Sequence, residues 1–92
     1  MRRILKFTVQ PFNPNEIETA DEPRFVAAGW QGENLVVWAE ATVGSGVLTR
    51  LTAVPTGADV PDFRWKYVAT AQHPTMLDGN PLVMHVYSAM AL

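Results

Sequence analysis

Leu35-Val36-Val37-Trp38-Ala39-Glu40-Ala41 is the most apolar stretch of this 92-residue chain. It is far shorter than the roughly 20 apolar residues of a membrane span. Its β-branched and aromatic content predicts a strand. A run with so little alternation reads as a central strand covered on both faces. Around it the chain is punctuated by seven prolines and six glycines, which favours short strands over long helices.

Working outward, the spacing predicts further strands at Arg3–Gln10, Arg24–Trp30, Val47–Val54, Trp65–Gln72 and Leu82–Ser88, with a polar edge strand at Glu16–Thr19. Leu5, Phe7 and Val9 alternate with Lys6, Thr8 and Gln10, the period of a half-buried strand. Leu48, Arg50, Thr52 and Val54 share one face of their strand, and Val47, Thr49, Leu51 and Ala53 the other. Trp65, Tyr67, Ala69 and Ala71 fall on one side, as do Met84 and Val86, opposite Val83, His85 and Tyr87. Turns are expected at Trp30–Asn34, with Gly32 taking positive φ, at Gly44-Ser45-Gly46, and at Asp78-Gly79-Asn80. The expected fold is all-β, or β-rich with one short helical turn around Val60–Arg64. It is a small antiparallel sandwich or barrel of six to seven strands. Residues 1–92 form one domain, ending in an apolar tail, Ala89-Met90-Ala91-Leu92.

Composition narrows the chemistry. Apolar residues make up 48% and charged residues 17%, as in globular chains. There is no cysteine, so disulfides and thiolate metal sites are excluded and a reducing compartment fits. After Met1-Arg2-Arg3 the apolar run is broken by Lys6, Thr8, Gln10 and Pro11, so no signal peptide is expected. A cytoplasmic protein is expected, away from membranes. The net charge of −2 disfavours nucleic acid as a partner, since phosphate binding needs a basic surface.

No catalytic constellation stands out. The two histidines, His73 and His85, are unrelated in spacing. His85 reads as a hydrogen-bonded strand histidine, against the alternative of a ligand or general base. Asp59 and Asp62 flank Pro61 and read as residues that cap turns or a short helix, against the alternative of a pair that shares a proton or holds a cation. Gly44-Ser45-Gly46 has a turn composition and not that of a nucleophile elbow. No phosphate-binding loop or dinucleotide fingerprint is present. The chain is therefore expected not to be an enzyme, and no cofactor or metal is implied.

Five short patterns follow in order: Ile4-Leu5-Lys6-Phe7, Trp38-Ala39, Thr56-Gly57-Ala58-Asp59-Val60-Pro61, Tyr67-Val68-Ala69-Thr70-Ala71-Gln72 and Met84-His85-Val86-Tyr87. Together they span nearly the whole chain and resemble a family of small, uncharacterised proteins encoded by phages and prophages. Many of its members carry His-Pro where this chain has Ala58-Asp59. The resemblance implies a compact β fold and a phage origin. It implies no established activity.

The leading functional expectation is a small phage protein that binds and modulates a host or phage protein, in host takeover or superinfection exclusion. Its candidate contacts are the acidic stretch Glu16, Glu18, Asp21 and Glu22, and the aromatic and basic positions Trp30, Phe63, Arg64 and Trp65. One alternative is a binder of a small molecule or nucleotide messenger in anti-defence, using a pocket near Trp65, Arg64 and His85. The other is an oligomeric assembly protein, with a second copy in a homodimer as its partner.

Overall fold

Alternation along the chain becomes two layers in space. The computed structural model describes residues 1–62, 64–73 and 82–90. Its strands are β1 (Arg3–Val9), β2 (Asn15–Thr19), β3 (Arg24–Gln31), β4 (Asn34–Ala41), β5 (Val47–Pro55), β6 (Lys66–Gln72) and β7 (Val83–Met90). All pairings are antiparallel. They build a three-stranded sheet ordered β1-β4-β3 and a four-stranded sheet ordered β2-β5-β7-β6. The sheets do not close on each other, so the all-β fold is a sandwich and not a barrel.

Two expectations about the elements need correcting. The described part of the Val60–Arg64 segment holds no helix; a turn closes there as Trp65 N donates to Asp62 O at 3.0 Å. Ala89 and Met90 are not tail residues, because they extend β7 and pair with Arg50 and Thr49. The turn expected at Asp78-Gly79-Asn80 lies outside the described residues.

Every second side chain points into the gap between the sheets. Val9, Leu35, Val37 and Ala39 enter from the three-stranded sheet; Ile17, Leu51, Ala53, Ala71, Met84 and Val86 enter from the other. Phe7, Phe25, Ala28, Trp30 and Val68 pack around them. Each fully buried medium-sized apolar side chain contributes roughly 1.5–3 kcal/mol.

β4 is central in its sheet, but no layer covers its outer face. That face is sheltered by its own neighbours. Lys6 Nζ on β1 donates to Gln31 Oε1 on β3 at 2.8 Å, and by the register this bridge passes over Val36. The Trp38 ring lies on Gly29, where an added Cβ would come within 3.4 Å of it. Gly29 thus allows a large ring to lie flat on the sheet. Gly32 begins the two-residue β3–β4 hairpin loop with φ 59°, the positive value a tight hairpin turn demands there.

β3 and β6 are the edge strands that face each other on one side of the sandwich. At one end they are pinned. Trp30 Nε1 donates to the carbonyl of Ala71 at 3.3 Å, and the Trp30 and His73 rings meet edge to face at 5.0 Å. His73 Nε2 lies 3.1 Å from the Gly32 carbonyl oxygen, tying the hairpin turn to the end of β6. Toward the other end each strand carries a β-bulge, between Phe25 and Ala27 in β3 and between Tyr67 and Ala69 in β6. The β6 bulge overturns the expectation that Tyr67 and Ala69 share a face. Tyr67 pairs with outward-facing Tyr87, whereas Ala69 pairs with buried Val86.

Trp30→Phe removes the donor to Ala71 and leaves most of the packing. It should lower the unfolding free energy by about 1 kcal/mol, read from urea denaturation as a shifted midpoint with an unchanged slope.

Candidate functional site

The bulges place the site. A bulged strand bends and twists away from its ladder. Two bulges at the same level of facing edge strands, with a pin at the other end, leave a groove of about 640 Å³. Phe25 lines it from β3, Tyr67 and Val68 from β6, Ser88–Met90 from β7, and Thr49 from β5. A smaller hollow of about 210 Å³ adjoins it, lined by Arg50, Arg64, Trp65, Ala89 and Met90.

Thr49 pairs with Met90 and is only 4% exposed. Its Oγ1 is buried and has no hydrogen-bond partner among the described residues. A buried hydroxyl left unpaired costs about 1–3 kcal/mol. Lys66 is the register partner of Ser88, so it projects on the core-facing side and brings its ammonium to the mouth of the gap.

The charge at this end differs from that of the chain as a whole. Four of the seven Lys and Arg residues, Arg24, Arg50, Arg64 and Lys66, line the two hollows, and Glu22 is the one acidic residue that does so among the described residues. Three of these cations have carboxylates at their backs: Arg24 with Glu40 at 3.3 Å, Arg50 with Glu16 at 3.7 Å, and Arg64 with Asp62 at 2.8 Å. These pairs are exposed and add little stability. The Asp62 carboxylate accepts from Nε and Nη2 of Arg64 and from its backbone N–H, which holds the Asp62 carboxyl below the usual carboxylate range and the arginine above its own. Lys66 forms no ion pair among the described residues.

The residues singled out from sequence do not form one surface. Arg64, Trp65 and Glu22 meet at the hollows. Glu16 and Glu18 lie on the outer face of β2, with Glu18 accepting the Gly46 N–H at 3.2 Å. Trp30 is half-buried in the pin. Phe63 lies outside the described residues. Asp21 serves as an anchor: it accepts the backbone N–H and the hydroxyl of Thr42, each at 2.8 Å, and pairs with Arg2 at 2.8 Å. Those bonds, the Thr42 backbone first, hold its carboxyl below the usual range. Glu40 is held low by Arg2 and then Arg24. Thr49, Lys66, Arg24, Arg50 and Phe25 were missed as site residues. Thr49 alone left a trace, as a polar residue on the otherwise apolar face of Val47, Leu51 and Ala53.

His85 lies on the outer face of β7. Its Nε2 is 2.8 Å from Thr56 Oγ1 and its Nδ1 2.9 Å from Thr70 Oγ1, which in turn meets Tyr67 OH at 2.6 Å. Both ring nitrogens are therefore engaged with hydroxyls, as the hydrogen-bonded reading anticipates. Among the described residues no three of His, Cys, Asp and Glu are grouped as metal ligands. No described helix is long and apolar enough to cross a membrane.

Residues 1–91 match the model of a domain of unknown function, DUF7352, and the chain belongs to that family. No curated protein and no solved structure matches it.

Two measurements check this geometry. Thr49→Val keeps the shape and removes the unpaired hydroxyl, so it should raise the unfolding free energy by about 1 kcal/mol. For Asp21 and Glu40 the folded pKa lies below the unfolded one. Their contribution is therefore complete above about pH 5 and lost as pH falls through the folded values. Denaturation midpoints should drop as pH falls below about 5, and Asp21→Asn should flatten part of that drop.

Proposed function

We propose that this DUF7352 domain is a non-enzymatic binding protein of phage origin that recognises a negatively charged target at the splayed end of its sandwich. The observation that carries this reading is the concentration of cations there, in a chain whose net charge is −2. Their local potential attracts an anionic target and orients its approach. In the phage setting suggested by the sequence, the protein works in the host cytoplasm and acts by occupancy.

Two kinds of target suit that end. An acidic surface on a host or phage protein would meet the rim, where Trp65 lines the smaller hollow together with Arg50 and Arg64 and offers an aromatic anchor among cations. A small anion would enter the groove instead, and the concave shape with Thr49 in its lining favours this second form.

Purification from host extract tests the reading, with bound proteins and co-eluting small molecules identified by mass spectrometry. The wild-type chain should retain a target that high salt releases. The Arg50→Glu/Arg64→Glu variant should lose it, and Arg3→Glu should keep it. Equal retention by the wild-type chain and the double variant would remove the splayed end from recognition.

A further inference from the structure

We propose that the groove between β3 and β6 binds a small anion with a flat apolar body, an aryl phosphate or aryl carboxylate in chemistry. This rests on reading the splayed end as the binding end, and adds what enters it and how it is held.

Three features divide the work. Lys66 supplies an ammonium at the mouth with no carboxylate partner among the described residues, and Arg24 and Arg64 flank it. Pro23, Phe25 and Val68 offer an apolar wall for a ring. The groove, about 640 Å³, falls within the range that takes small ligands. Deeper in, Thr49 is 4% exposed with an unpartnered Oγ1. A native fold leaves few such atoms without a reason. In this groove a polar substituent on the ring, or an oxygen of the anionic group, completes it once the threonine side chain turns its hydroxyl from the packed interior to the groove.

An inward-pointing lysine and a bulge also protect an edge strand from pairing with another chain. That role accounts for Lys66 and for the two bulges. It gives the buried Thr49 hydroxyl nothing to do, and it calls for no saturable site. A second copy of the chain is a weaker occupant, because it would bring its own cations to face these.

Titration of the whole isotope-labelled chain, followed by amide NMR, decides between them. The probes are phenyl phosphate, benzoate and inorganic phosphate. Saturable shifts are expected at Thr49, Lys66, Ser88 and Met90 with an aryl anion, and the tighter of the two names the head group. Inorganic phosphate should bind at least about tenfold more weakly, since it lacks the buried ring. Thr49→Val should weaken the aryl anion about threefold to tenfold, while its dispersed spectrum shows an intact fold. Lys66→Glu should weaken it by about tenfold or more.

No saturable shift at these positions with either aryl anion would overturn the proposal. So would inorganic phosphate binding as tightly, or affinities unmoved by both substitutions. If the host-extract purification yields a salt-released target while both aryl anions leave the spectrum still, the groove assignment fails and the splayed-end reading stands.

Discussion

Two sheets can share one core only if each strand sends every second side chain inward. Where that period of two holds, the inward side chains are fully buried, as are Leu35, Val37 and Ala39 in one sheet and Leu51, Ala53 and Val86 in the other. It breaks at two positions, the bulges in β3 and β6. Because these strands face each other, the breaks combine into one opening. The Trp30–Ala71 bond pins the edge strands together at the opposite end.

That opening sets the electrostatics. A charge on the inner face of a closed sandwich would be buried at great cost. At a splayed end the same position reaches water, and Lys66 occupies it with no ion-pair partner among the described residues. Arg24, Arg50 and Arg64 reach the same region from different elements, each backed by a carboxylate. The buried Thr49 hydroxyl belongs to this arrangement. It sits where the β5–β7 pairing ends, opposite Met90, in the lining of the groove.

How much was legible varies with the element. In β5 the alternation put Thr49, Leu51 and Ala53 on one face, and the structure turns that face inward as a set, because the strand is regular throughout its pairing. In β6 the same reasoning put Tyr67 and Ala69 together and failed, because one extra residue at the bulge reverses every side chain after it. Asp21 looked like part of an acidic surface. Its actual neighbours, Thr42 and Arg2, are distant in sequence and reach it through the β2–β3 loop. Trp30 looked like an exposed edge aromatic, but the strand beside it lies about forty residues further along.

By itself, the sequence narrowed the strand count to six or seven, determined the all-β class, and sorted which positions of regular strands share a face. These follow from side-chain period and turn chemistry, which are local. Only the tertiary structure decided that the sheets stay open, that β3 lies over β6, and that cations from three separate segments meet at one end, beside a threonine hydroxyl with no partner among the described residues. Those are consequences of register, bulges and strand order, and no local pattern specifies which distant strand will lie alongside.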